Sequence, residues 1–219
     1  MGKFRFFSPR LLSLTFGAML IFSPFSASAD EAPDLRETIQ KNLPEGEEIH
    51  AFLQLSPDKA WISSTYSHPD SIQTVACTLS FIKINLTDSV PNMTNSLTLL
   101  SNQKANKVRA FDTTWTLPTH SEGEMTLKNT VLEQRFNMIA ETASTIGSNI
   151  ASQDLQKLVD SLAQGQEIWM HFSLGEPKSL PTAHIVPLLN DFKQCTSHHH
   201  FAFLGSPLDP RANLSDNPF

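Results

Sequence analysis

The sequence predicts an α+β domain in which an antiparallel β-sheet is covered on one face by two to four helices. Three observations predict this fold class. The first half of the chain alternates apolar and polar residues with a period of two, which is typical of strands. The second half repeats apolar residues at helical spacing. A single strand-like segment interrupts these helices, so the regular strand-helix alternation of a parallel α/β fold is missing.

The first 29 residues, 1–29, have the features of a cleavable signal peptide. Three cations and no acidic residue stand in the first ten positions, and the mostly apolar run 11–22 follows them. That run is shorter than the roughly 20 residues that cross a membrane as a permanent helix. Ala27-Ser28-Ala29 supplies a cleavage site, and Pro24 argues against an uncleaved anchor. We therefore expect an exported chain that starts at Asp30 and keeps no stable membrane span.

The expected mature chain has 190 residues, which suits one domain with its own core. We place this single domain at 30–195 and interpret 196–219 as a tail, rich in proline and histidine and partly disordered. The mature chain carries 13 lysines and arginines against 22 acidic residues. Its longest basic-leaning stretch, 104–109, holds three cations and reads as a solvated loop, so nucleic acid is excluded as a partner.

A helix and a β-hairpin are predicted at the start of the domain. Apolar residues at spacings of four indicate a short helix that ends before Pro44. A period of two then predicts a strand, and Ser56-Pro57-Asp58 predicts the turn into its antiparallel partner. The predicted ranges are 35–42 for the helix, 49–55 for the first strand and 59–66 for the second.

The segment 74–86 gives the clearest strand prediction. Its apolar residues change face near Phe81-Ile82, which we interpret as a β-bulge. Between Thr87 and Asn106 the chain is rich in asparagine, serine and threonine, so we expect long surface loops there. Shorter β-like segments are predicted at 96–100, 108–117 and 125–127.

The pattern then becomes helical. Leu132, Phe136 and Ile139 recur at helical spacing, continued by Ala143, and predict a helix that ends at Gly147. The remaining predicted elements are a helix between an N-cap at Ser152 and a C′ residue at Gly165, a strand over 168–174, and a helix from Pro187 to Cys195.

Two tryptophans fall on strand faces opposite the aliphatic residues. Trp61 and Trp169 therefore allow two interpretations, an exposed aromatic surface for a partner or a sheet that is covered on both faces. We favour the covered sheet.

Cys77 and Cys195 are the two cysteines of the chain. In an oxidising compartment such a pair predicts one disulfide, which here would tie the first half of the domain to its last helix. A redox or nucleophilic cysteine is disfavoured because neither position has a CxxC partner.

His198, His199 and His200 form the one segment with metal-ligand composition. Adjacent histidines on a tail point in different directions, so we favour a solvated tail over a metal site. The sequence contains no nucleophile elbow, phosphate loop, dinucleotide fingerprint or HExxH motif, and hence suggests no catalytic residue and no cofactor.

These features predict a periplasmic or extracellular protein, and they favour a binding protein over an enzyme. We expect a non-enzymatic accessory protein of the cell envelope that binds another envelope component, most simply a protein of a secretion or surface-assembly system. One alternative is an enzyme or enzyme inhibitor that acts on the cell wall, which a cleft with converging carboxylates or histidines would favour. The other alternative is metal binding through the three histidines. The sequence gives no indication of oligomeric state.

Overall fold

A computed structural model of the chain describes residues 34–67, 75–87, 91–173 and 176–201, and the predicted signal peptide lies outside them. The described residues form ten strands and three helices, so the fold is mostly β. In chain order the elements are α1 (Leu35–Asn42), β1 (Glu47–Ser56), β2 (Lys59–Ser67), β3 (Val75–Asn85), β4 (Asn92–Asn102), β5 (Asn106–Asp112), β6 (Glu122–Lys128), β7 (Glu133–Ala140), β8 (Thr145–Ile150), α2 (Ser152–Ala163), β9 (Ile168–Phe172), β10 (Lys178–Leu180) and α3 (Val186–His198).

All ten strands belong to one antiparallel sheet that forms a half-barrel. Their order across the sheet is β1-β2-β3-β4-β5-β8-β7-β6-β9-β10. Strands β1 and β10 are therefore its two edges. Of the two, β10 has three residues, and so short an edge is a poor template for pairing with another chain. No helix among the described residues has the length and apolar character needed to cross a membrane.

The longer edge strand, β1, is protected by side chains of α1. Arg36 donates a hydrogen bond from its guanidinium group to the carbonyl oxygen of Ile49, at 3.1 Å. Gln40 donates to the carbonyl oxygen of Glu47 at 2.7 Å and accepts from the Ile49 N–H at 3.2 Å. These bonds satisfy backbone groups that an edge strand otherwise leaves without partners.

Apolar side chains are buried on both faces of the sheet. Successive strand residues point to opposite faces, and Trp61 and Ile62 accordingly belong to two different clusters. The larger cluster joins Trp61 to residues of α2 and α3, and the smaller one joins Ile62 to Leu35 and Ile39 of α1. The helices thus do not all cover one face, contrary to the prediction, because α1 packs opposite α2 and α3.

The two tryptophans have different environments. Trp61 is 1% exposed and lies within the larger core. Trp169 on β9 is 42% exposed. The sheet is therefore covered on both faces where α1 packs, as we expected. At Trp169 it is not covered in this way.

The predicted disulfide between Cys77 and Cys195 is confirmed. Cys77 is fully buried on β3, Cys195 lies in α3, and their Cα atoms are 5.9 Å apart. The Thr65 hydroxyl oxygen lies 3.3 Å from the Cys195 sulfur. The link closes a loop of 118 residues and joins α3 to β3, the third strand from the β1 edge of the sheet.

The loops expected between Thr87 and Asn106 are replaced largely by strand β4, so that expectation is wrong. Its polar side chains are typical of a loop, but some of them pair across the sheet, as the Ser80 and Thr98 hydroxyl oxygens do at 2.9 Å. The bulge expected near Phe81-Ile82 is also wrong, because both faces of β3 are buried and its pairing is regular there. The irregularity lies farther on, at Lys83-Ile84.

The helix predicted from Leu132 to Gly147 is wrong, since this segment forms β7 and β8. The buried residues are Phe136, Met138 and Ala140, which follow a period of two, while Ile139 between them is 46% exposed. The helical spacing of the apolar residues is therefore coincidental.

The predicted end of the domain at Cys195 falls within a helix. Helix α3 continues past Cys195 to His198, and Phe201 is buried in the larger core. The rest of the predicted tail, 202–219, lies outside the described residues.

In α2, Ala151 is the N-cap and Ser152 is the first helical residue.

An ion pair between the buried Asp112 of β5 and the partly exposed Lys178 joins β5 to β10. The Asp112 carboxylate accepts hydrogen bonds from the Lys178 ammonium group and from the Thr114 backbone N–H and hydroxyl, the last two at 2.9 and 2.6 Å. Burial raises the pKa of Asp112, but the bonds from Lys178 and Thr114 outweigh it and hold the pKa below its usual value. The ionised carboxylate consequently stabilises the folded chain.

This ion pair predicts a pH dependence of stability. The pKa of Asp112 is lower in the folded chain than in the unfolded chain, where it is near 3.8. The stabilisation by the ionised carboxylate is therefore complete at pH values above 3.8. It is lost as the pH falls through the pKa of the folded state. We expect Asp112→Asn to lower the free energy of unfolding by about 2 kcal/mol at pH 7 and to flatten its fall below pH ~4. Urea unfolding at several pH values measures both effects. Glu176→Gln, at an exposed acid near Lys178, is the control and should keep the wild-type profile; an unchanged profile for Asp112→Asn contradicts the prediction.

Candidate functional site

A groove of about 500 Å³ lies on the sheet face where α1 packs. Its floor consists of side chains from β2 to β5, and we call it the β2–β5 groove. Leu43 and Pro44, which follow α1, lie at one side, and Lys107 and Arg109 of β5 lie at the other. Volumes of this size are typical of sites for small ligands.

Hydroxyl groups on the floor are paired with each other and with one carboxylate. The Ser64 hydroxyl donates to a carboxylate oxygen of Glu47 at 2.6 Å, and the Thr78 hydroxyl donates to the same oxygen at 3.2 Å. The Ser80 hydroxyl pairs with that of Thr98 on the next strand. The hydroxyls of Thr78, Ser80 and Thr98 therefore already have partners.

Lys107 and Arg109 lie on the β5 side of the groove, and both contact the carboxylate of Glu141. Arg109 Nε lies 2.8 Å from one oxygen of Glu141, and Lys107 Nζ lies 3.5 Å from the other. The Arg109 Nε atom is buried against this carboxylate. The cluster has a net charge of one positive unit.

Gly147 makes room for this cluster. In the pairing of β5 with β8 it lies opposite Arg109. A Cβ atom built on Gly147 would lie 2.5 Å from a carboxylate oxygen of Glu141, which is closer than real Cβ contacts. The glycine therefore lets Glu141 lie across the strand and reach both cations, whereas the sequence pattern had suggested a helix C-cap.

Apolar side chains also line the groove. Ile82, Met93, Leu100 and Phe111 contribute to its lining together with Tyr66. The Glu47 carboxylate reaches over β2 to the Thr78 hydroxyl of β3, so it lies about two strand separations from β5, roughly 10 Å at about 4.8 Å each. The result is a groove with an apolar lining, one carboxylate above β2 and β3, and two cations at its β5 side.

A smaller cavity of about 360 Å³ lies on the opposite face of the sheet. Its apolar lining includes Trp115 and Phe172, whose rings meet edge to face with centroids 5.1 Å apart. Glu122 and Glu124 also line it. Among the described residues that line this cavity there is no cation, so it does not combine acidic and basic groups as the larger groove does.

The three predicted metal ligands lie at the end of α3. His198 ends the helix, His199 stacks on Phe201, and His200 has a left-handed backbone with φ of 57°. Burial and the neighbouring His198 and His200 lower the pKa of His199. Across the described ranges, no three histidine, cysteine or acidic side chains are grouped so that they could hold a metal ion. Metal binding by these histidines stays a prediction.

Sequence reasoning missed the groove. It interpreted 104–109 as a solvated loop and let the β-like segment begin only at residue 108, whereas Lys107 and Arg109 both belong to strand β5. The signal that could have found them is the alternation of Lys107, Arg109 and Phe111 with the buried Val108 and Ala110, which is a strand pattern.

No protein-family model, curated protein or solved structure matches this chain, so the geometry described above is the basis for interpreting its function.

Proposed function

We propose that this chain is an exported, non-enzymatic binding protein of the cell envelope, periplasmic or extracellular, and that the β2–β5 groove holds its ligand. The groove itself carries this proposal. Its volume of about 500 Å³ is within the range of ligand sites. It combines an apolar lining with the Glu47 carboxylate and, at the β5 side, two cations, and such groups fix the orientation of a ligand.

The disulfide supports the exported location. Cys77 and Cys195 are joined, and disulfides form and persist mainly outside the reducing cytosol. The signal peptide predicted at 1–29 is consistent with the same route.

The chemistry of the groove favours binding over catalysis. Of the described residues that line it, Glu47 is the one acid, and the Ser64 and Thr78 hydroxyls already donate to its carboxylate. Glu141, beside the groove, is paired with Lys107 and Arg109. Acid-base hydrolysis of a glycan needs a pair of carboxylates facing each other across the substrate. Two carboxylates that are both engaged by other side chains are better suited to holding a ligand than to cleaving it.

Photo-crosslinking in intact producing cells tests the proposal. We expect p-benzoylphenylalanine in place of Phe111, in the groove, to give an adduct of defined mass, identified by mass spectrometry. The same residue in place of Val131, 61% exposed and away from the groove, is the control and should give none. The recovered chain should begin at Asp30. Identical adducts at both positions, no adduct at Phe111, or an intact Met1 would overturn the proposal.

A further inference from the structure

We infer that the ligand of the β2–β5 groove is a single-chain anionic amphiphile, with one carboxylate or phosphate head at Lys107 and Arg109 and an unbranched apolar chain along the floor. This inference deepens the proposed function and rests on it. It follows from the charged groups of the groove, the partners of the floor hydroxyls and the apolar lining.

The β5 side of the groove is suited to one anionic head. Lys107 and Arg109 carry two positive charges against the single carboxylate of Glu141. One positive charge of the cluster is not balanced by Glu141, and an oxyanion of the ligand would balance it. The chain as a whole has a formal charge of −6, so the charge of this cluster is opposite in sign to that of the chain.

The Glu47 carboxylate disfavours a second anionic group on the ligand. It accepts hydrogen bonds from Ser64 of β2 and Thr78 of β3, so it lies about two strand separations from β5, roughly 10 Å at about 4.8 Å each. A second acid on a ligand that extends from β5 across the groove would meet this carboxylate. The rest of the ligand is therefore uncharged.

The floor favours an apolar chain over a peptide. A peptide backbone in the groove needs donors and acceptors for its N–H and C=O groups, and burying them without partners is costly. Among the polar groups that line the groove, the Thr78 hydroxyl is taken by Glu47, Ser80 is paired with Thr98, and the side-chain oxygen of Asn102 accepts from backbone N–H groups. An unbranched hydrocarbon chain needs no hydrogen-bond partners and can pack on Ile82, Met93 and Leu100.

Glu141 acts as an internal competitor for the two cations. Its carboxylate occupies the position beside Lys107 and Arg109 that favours negative charge. Neutralising it leaves two uncompensated cations for the ligand. Glu141→Gln is therefore expected to raise the affinity for the amphiphile several-fold.

Titration calorimetry of the full oxidised protein tests the inference, with probes kept below the concentrations at which they form micelles. Octanoate, decanoate and dodecanoate should bind with an affinity that rises up to roughly fourfold for each added methylene group. Dodecyl phosphate compared with dodecanoate shows which head is preferred. The neutral glycerol ester of dodecanoic acid should bind at least tenfold more weakly, and acetate and inorganic phosphate should give no measurable heat.

Variants locate the site. Lys107→Met and Arg109→Met should each weaken dodecanoate binding about tenfold or more, because each removes a charged donor. Lys157→Met, which removes the same charge from the exposed surface of α2, is the matched control and should bind as the wild type does. Leu100→Trp should block the groove, and circular dichroism checks its fold. Since the two cation variants change half-exposed positions, they keep the test valid if Leu100→Trp fails to fold.

Several outcomes would overturn the inference. One is equal affinity for dodecanoate and its neutral ester, and another is a loss of binding in Lys157→Met equal to that in Arg109→Met. A third is tight binding of an acidic hexapeptide to a protein that does not bind dodecanoate. Failure to bind amphiphiles while the Phe111 crosslink still gives a specific adduct rejects this inference alone, whereas loss of the crosslink as well rejects the proposed function.

Discussion

Replacing both Cys77 and Cys195 with alanine is expected to lower the free energy of unfolding by roughly 4 to 5 kcal/mol. The disulfide closes a loop of 118 residues, and a crosslink across so long a loop removes much conformational freedom from the unfolded chain. Domains of this size have a total stability of about 5 to 15 kcal/mol. The double variant should thus be marginally folded, which urea unfolding followed by circular dichroism would measure.

Thr65→Val is the control for this experiment. It removes the hydroxyl group 3.3 Å from the Cys195 sulfur and leaves the disulfide in place, so we expect a loss below about 1 kcal/mol. If the cysteine variant is within about 1 kcal/mol of the wild type, the crosslink contributes little and α3 is held to the sheet by apolar packing.

Trp61→Ala should cost about 3 to 5 kcal/mol of stability, the range for removing a large buried aromatic side chain. Trp61 is 1% exposed on β2, and its ring meets Phe81 edge to face with centroids 5.5 Å apart. Its indole N–H also donates to the carbonyl oxygen of Pro181 at 2.6 Å, next to β10. The side chain therefore connects the two edge regions of the half-barrel. Loss of tertiary structure on heating, followed by near-UV circular dichroism, would measure the effect.

Two further variants separate the contributions of this tryptophan. Trp61→Phe keeps an aromatic ring but leaves the Pro181 carbonyl without its donor, for an expected loss of about 1 to 3 kcal/mol. Trp169→Phe changes the half-exposed tryptophan of β9 and should stay within about 1 kcal/mol of the wild type. Equal losses at the two positions would contradict the buried role of Trp61.

Local signals account for the elements that the sequence predicts correctly. The helix α1 is marked by its apolar spacing, and Asp34 accepts a hydrogen bond from the Arg36 N–H as its cap. The turn after Ser56 and the left-handed Gly165 after α2 are similarly encoded within a few residues. Cys77 and Cys195 are predictable as a pair for another reason, since a chain with two cysteines has one possible internal disulfide.

The wrong predictions concern strands whose character depends on their neighbours. Strand β4 reads as a loop because its serine and threonine residues are polar, yet Ser101 is buried and Thr98 is paired with Ser80. Strand β7 reads as part of a helix because Phe136 and Ile139 are three residues apart. Only the sheet shows that one of them faces the core and the other solvent.

The candidate site was beyond prediction for a related reason. Lys107 and Arg109 can be recognised as one face of a strand, but their partner Glu141 is more than 30 residues away. It reaches them because β8 pairs with β5 and because Gly147 leaves space above the strand. Neither the strand order nor this close approach can be derived from residue spacing.

The hydrogen bonds from α1 to β1 have a consequence for the behaviour of the protein at high concentration. Gln40 and Arg36 occupy the donors and acceptors of Glu47 and Ile49 that a strand from a second molecule would otherwise use. Detachment of this eight-residue helix, by heat or by a protease cut near Leu43, would uncover both the backbone groups and the apolar surface beneath the helix. A molecule in that state is a seed for self-association, so the solubility of the protein depends on how firmly its first helix is held.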